Sequence, residues 1–260
     1  MIMALTAYFF FGMPPLNSEI IFWSILSGVL HGVYILCLSR AYATADISYV
    51  YPIARSAPVF VPVFAWLILD EHLNLPTFLA IGLILTAIYI LHFEGHLIRG
   101  FKNLVKAMGH QDLRWAFYTL ATVVSYSLVD KKGMDSFLSL LPDQPFANGI
   151  TFFFFEATVG FIICNTYIFS TNPAKYVFKT WREEWHKALL AGIATLGSYG
   201  LICVVLQFEA LSAIISLRQV SVLMVVYWGC WKLKEPFGPQ RLFAGGLILV
   251  GIFLIGINSY

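Results

Sequence analysis

Charge is what this sequence has least of. Only 12% of its 260 residues are Asp, Glu, Lys or Arg, against 59% hydrophobic, where a soluble domain carries about 25% charged residues. That scarcity excludes a soluble globular protein and points to a polytopic membrane protein. Basic tracts are missing too: the net charge is +2, with no Lys/Arg run beyond short loops, so nucleic acid is not an expected partner. The four cysteines, Cys37, Cys164, Cys203 and Cys230, all sit inside apolar stretches without C-x-x-C spacing. They read as small packing residues, and neither a disulfide framework nor a metal site is expected from them. The N-terminus lacks a basic region followed by a small-residue cleavage site, so no cleavable signal peptide is expected.

What is present is a series of apolar spans. They fall at about 19–43, 46–69, 74–93, 114–130, 147–169, 187–208, 210–233 and 238–258. Each is of the order of the ~20 residues that cross a bilayer as a helix. Residues 1–12 are apolar but too short, rising about 18 Å against a core of roughly 30 Å. The connections are short, except 94–113 and 171–186, which are basic and suit interfacial helices. One span stands out: YPIARSAPVFVPVFAWLILDE, residues 51–71, carries Arg55 together with Pro52, Pro58 and Pro62. Prolines free backbone carbonyls and bend a helix, and an arginine inside lipid costs roughly 3 kcal/mol unless it faces water or a partner.

An internal repeat organises the chain. A shift of 164 residues lays Ser48 on Ser212, Glu71 on Glu235, Ala80 on Ala244 and GLIL 82–85 on GLIL 246–249. No gap is needed between 46 and 88. Arg55 falls on Gln219, and Arg218 on Ala54. The second unit has five helices, and an odd unit must insert with inverted topology, the arrangement of secondary transporters with a site between repeats. The reading is an all-α integral membrane protein built as an inverted repeat of five-helix units. About nine helices are present, with the first repeat lacking its first helix and most of its second. The division is 1–93 for the first repeat, 94–113 for a basic linker and 114–260 for the second. Lysines and arginines fall twelve to one side and two, Lys131 and Lys132, to the other, which puts the 94–113 and 171–186 loops in the cytoplasm.

These features resemble the drug/metabolite transporter superfamily in its EamA-type ten-helix form. The segments that carry the resemblance are the corners LILDEHL (67–73) and KLKEPFG (232–238), with the helices GLILTAI (82–88) and GGLILVGI (245–252) that follow them. YPIARSAPV (51–59), SLRQVSVL (216–223) and YSLVDKKG (126–133) add to it. The resemblance implies a multi-pass carrier in the cell inner membrane, moving a small polar or anionic metabolite or drug by alternating access.

Candidate substrate-binding residues follow from polarity inside spans. Arg55 and Arg218 sit about nine residues into their helices and offer guanidinium forks for an anionic group; Gln219 lies beside Arg218. Glu156, in FFFFEATVG, is a mid-span carboxylate expected to pair with Arg55 or Arg218, with proton coupling as the alternative. His31 shares a helix face with Tyr34 at i, i+3, and such a histidine is more commonly packed than ligating. Tyr51, Tyr126 and Tyr199 are aromatic candidates for a pathway wall. Asp130, followed by Lys131 and Lys132, reads as an interfacial residue at a helix end. Glu71 and Glu235 read as corner carboxylates orienting the next helix through its N-terminal dipole.

The expected partners are a small-molecule substrate and the lipid bilayer, with a homodimer left open. No cofactor is expected beyond proton coupling. Two other functions are weighed: a lipid-linked sugar or phosphate flippase, and an intramembrane transferase. The latter requires His and carboxylates clustered at one depth, whereas His72, His92, His96, His110 and His186 scatter over loops.

Overall fold

A computed structural model describes residues 17–44, 56–72, 74–92, 113–218 and 238–258, with Val50, Ile53, Ala54 and Val220 besides. The described residues form eight helices: α1 (Ser18–Thr44), α2 (Ala57–Leu69), α3 (Leu75–His92), α4 (Arg114–Leu140), α5 (Pro145–Thr171), α6 (Ala174–Val205), α7 (Leu211–Leu217) and α8 (Gly238–Asn258). Three of them, α1, α5 and α6, are long and apolar enough to cross a membrane; α2 and parts of α3 and α8 are shorter apolar helices. Large apolar side chains stay exposed along them, among them Phe22, Trp66, Leu67, Phe161 and Phe253. In water such a surface would be unfavourable, whereas against acyl chains it is the ordinary one.

Two boundaries differ from those read from hydropathy. The basic stretch before residue 187 is no separate interfacial helix, because α6 runs unbroken from Ala174 to Val205. The helix expected to stop at Asp130 continues to Leu140. Lys131 and Lys132 are therefore helical rather than loop residues. Asp, Lys and Lys in a row end an apolar run but not a helix, since lysine is a good helix former.

The chain divides into two compact units. One consists of Met1–Ser39 with Ala121–Phe208; the other of Arg40–Leu120 with Glu209–Tyr260. Each draws on both halves of the sequence.

In the first unit, glycines set the helix spacing. A Cβ at Gly28 of α1 would lie 2.6 Å from the backbone oxygen of Glu156 and 2.6 Å from Val159 Cβ on α5. One turn on, a Cβ at Gly32 would meet Ile163 at 3.0 Å. The sequence GVLHG (28–32) is thus a small-xxx-small stripe laid against α5. A Cβ at Gly149 of α5 would stand 2.8 Å from Val204 N on α6, so those backbones also approach closely. Beside that contact, Asn148 Nδ2 donates to Gln207 Oε1 at 3.0 Å and to the Leu141 carbonyl at 2.8 Å. Lys131 Nζ donates to the Leu206 carbonyl at 2.8 Å and pairs with Asp135 at 2.9 Å. Its ammonium sits at the negative end of α6, where a cation is favoured.

The second unit is largely apolar. α3 packs on α8 through Ala80, Ile84 and Ala87 on one side and Ala244, Ile248 and Gly251 on the other. Gly251 lies against Ala80 and Ile84, where a Cβ would come within 2.9 Å of the Ala80 carbonyl. Ala87 clusters instead with Ala244 and Ile248. Contacts in that order make the pair antiparallel. The 164-residue shift turns Ala80 into Ala244 and Ala87 into Gly251, so each contact is the image of the other. A two-fold exchanging the two segments, as inverted repeats require, produces that pattern.

The corner after α2 serves a different end from the one expected. Asp70 takes a left-handed conformation, φ 51°, and its N–H returns to the Ala65 carbonyl, ending the helix. That turn delivers Glu71 to the N-terminus of α7, where Ser212 donates its N–H at 3.3 Å and its hydroxyl at 2.5 Å to Oε2. Glu71 was expected to orient the next helix, α3. Instead Asn74 caps α3, accepting from Thr77 N at 2.9 Å. Glu235 and Ser48, the counterparts of this pair under the repeat, lie outside the described residues.

Candidate functional site

The first unit holds a polar cluster to which each of its four helices contributes. α1 supplies Ser27 and His31, four residues apart on one face. α4 supplies Tyr126 and Asp130 with the same spacing, α5 supplies Glu156, and α6 supplies Tyr199. Asp130 and Glu156 are buried at 0% and 3% exposure, and His31 is nearly so.

His31 Nε2 lies 3.2 Å from Glu156 Oε1. On the other side of the ring, Nδ1 is 3.1 Å from the Ser27 carbonyl and 3.3 Å from Ser27 Oγ. A carbonyl only accepts, so this bond places a proton on Nδ1 and turns Nε2 toward Glu156. Asp130 receives two hydroxyls: Ser27 Oγ donates to Oδ1 and Tyr199 donates to Oδ2, each at 2.5 Å. Tyr126 stacks on the imidazole with ring centroids 3.9 Å apart, Tyr199 meets it edge-on at 5.2 Å, and Tyr34 meets Tyr126 at 5.6 Å. Phe153 closes on Tyr199 at 5.9 Å. Aromatic walls thus surround two carboxylates and an imidazole.

Burying two carboxylates together is costly unless hydrogen bonds and opposite charge answer them. Asp130 is answered on both oxygens. Glu156 is answered on one: Oε2 is buried without a hydrogen-bond partner among the described residues. The ligating atoms of His31, Asp130 and Glu156 all lie within 4.8 Å of one another. Ligand spacing along the sequence could not reveal this group, because its members come from three different helices.

The structure brings together four of the pathway candidates singled out from sequence, His31, Tyr126, Glu156 and Tyr199. It also places Asp130 among them. Asp130 is thus no interfacial residue at a helix end: it lies in the middle of α4, fully buried. Among the described residues, Glu156 faces His31. Arg218 is a half-buried residue at the C-terminal cap of α7, its N–H turned back to the Ile214 and Ser216 carbonyls, and it belongs to the second unit. Arg55, Gln219 and Tyr51 lie outside the described residues. The signal that marks α1 is GVLHG itself, a histidine held inside a small-residue stripe. No comparable local signal marks Tyr199.

The model of the EamA-like transporter family matches residues 1–93 of the chain. No curated protein matches it. The described residues are helical, with apolar spans and a buried polar cluster, which agrees with a likeness to that family over the matched part of the chain.

Proposed function

We propose that the protein is a secondary transporter of the cell inner membrane that carries a small polar metabolite by alternating access, with the His31–Asp130–Glu156 cluster in its transport pathway. One observation carries the reading: carboxylates and an imidazole stand buried together where four helices converge, three of them long and apolar enough to cross a membrane. Ionisable groups at such depth are costly and by default functional. The two sequence repeats, 1–93 and 114–260, supply the halves that exchange between inward- and outward-open forms. Recognition of an anionic group through Arg55, Arg218 and Gln219 belongs to this proposal as a separate element, since the cluster itself is acidic and suits a cationic group or a proton.

Counterflow of candidate polar metabolites in proteoliposomes tests the reading. Glu156→Gln is isosteric and is expected to abolish exchange while the protein still elutes as a single species. Undiminished exchange would remove the cluster from the pathway. The same grouping of His and carboxylates is what an intramembrane transferase would need. Against that reading, Ser27 directs its hydroxyl to Asp130 rather than to His31, so no Ser–His nucleophile is assembled.

A further inference from the structure

We infer that the cluster is a binding site for a divalent first-row metal cation, such as Zn2+ or Mn2+, held by His31 Nε2 and one oxygen each from Asp130 and Glu156. Four features of the geometry support it.

The first is the face-off between His31 and Glu156. With Nδ1 donating to the Ser27 carbonyl, a neutral imidazole presents a lone pair at Nε2, and Glu156 Oε1 presents another only 3.2 Å away. Two acceptors at that distance need a positive centre shared between them, a proton or a metal cation. The second is orientation. Metal-bound imidazoles characteristically donate their other N–H to a carbonyl or carboxylate, and ligating carboxylates are themselves hydrogen-bonded. Here Ser27 O fixes His31, while Ser27 Oγ and Tyr199 Oη fix Asp130. The third is Glu156 Oε2, a buried oxygen with no hydrogen-bond partner among the described residues and thus open to a ligand. The fourth is charge. Two carboxylates with a neutral imidazole sum to −2, which a divalent ion cancels and a single proton does not.

The size is near what an ion needs. Nitrogen and oxygen ligands about 2.0–2.2 Å from a tetrahedral metal stand roughly 3.3–3.6 Å apart, so atoms within 4.8 Å of one another draw in by about 1 Å at most on binding. One imidazole nitrogen with carboxylate oxygens suits Mn2+, Fe2+, Co2+ and Zn2+ better than the all-oxygen preference of Mg2+ and Ca2+. Three protein ligands leave coordination positions free, so the ion can bind exchangeable water or solute.

This inference shares its site with the transport reading, but its test is equilibrium binding and needs no flux. The full chain in detergent micelles is titrated calorimetrically with Zn2+. One ion per chain is expected, with the affinity falling at least about tenfold in Glu156→Gln and in His31→Gln. Equal binding by wild type and the Glu156→Gln/His31→Gln double variant would assign the heat to surface histidines and overturn the site. So would a wild-type chain that takes up no Zn2+, which would leave the cluster to protons. Should the variants fail to fold, pulsed EPR of the Mn2+-loaded wild type decides: nitrogen coupling from a single imidazole is expected, and its absence overturns the proposal. Zinc bound by wild type and lost in Glu156→Gln, with exchange unchanged by the same substitution, would strike the transport reading alone.

Discussion

The two compact units solve the same problem, helices packed without water, in opposite ways. The first spends its interior on polarity: Asp130, Glu156, Ser27, Asn148 and Gln207 are all buried, and glycines draw the helices close enough to bond them. The second packs alanine, isoleucine and glycine in apolar clusters and, among the described residues, keeps one tie between carboxylate and hydroxyl, Glu71 to Ser212. Apolar burial is non-directional, and in lipid it adds little to hold one helix on another. Polar contacts demand geometry. The first unit is thus the one in which single atoms decide the outcome, and the second the one in which shape does.

Substitutions should separate the two. The largest effect is expected from Glu156→Gln and Asp130→Asn in the first unit, each abolishing exchange in proteoliposomes. Glu71→Gln in the second should leave exchange measurable and instead lower thermal stability, by about 1.5–3 kcal/mol for hydrogen bonds to a charged group. Equal loss of exchange in all three would dissolve the contrast. Next comes Gly28→Leu. Its side chain has no room against the Glu156 backbone, so α1 must leave α5, and both stability and exchange should fall, as read by size-exclusion thermal melts and counterflow. Gly251→Leu in the second unit strikes the Ala80 carbonyl and Ile84; it should cost stability to a similar degree, of the order of the 1–3 kcal/mol typical of overpacking.

Smaller effects sharpen the picture. Lys131→Met removes the ammonium that meets the end of α6 and should lower stability by about 1 kcal/mol, within the range for a charge at a helix terminus. Smallest is Asp70→Gly. It suits the left-handed φ of 51°, so a melt is expected to change by only a few tenths of a kcal/mol, whereas Asp70→Val at the same place should destabilise visibly.

How much of this was legible beforehand depended on which physics a residue obeys. The apolar helices α3 and α8 could be read from hydropathy alone, whereas their packing on each other emerged only from the structure. His31, Tyr126 and Glu156 declared themselves as polar or aromatic residues inside apolar spans. Asp130 did not, because its neighbours Lys131 and Lys132 imitate a loop. Lysine allows the helix to continue, and the partner that takes the Lys131 ammonium, the Leu206 carbonyl, lies 75 residues away in sequence, outside any local window. Tyr199 was visible only as one aromatic candidate among several. A tyrosine at helical spacing looks like core until the carboxylate that takes its hydroxyl is known. Glu71 shows the converse error: its place at a corner was legible, but the helix it serves is distant in sequence.

Asp130 and Lys131 are neighbours on α4, and both hold α6: one takes the hydroxyl of Tyr199, the other grips the carbonyl of Leu206. The seven-residue step from Tyr199 to Leu206 spans roughly 10 Å of helix. A tilt of α6 that freed only its end would still leave Tyr199 fastened, and one that freed Tyr199 would strain the grip on Leu206. Separation of these two helices is therefore a paired release, closer to undoing a clasp with two hooks than to swinging a door on one.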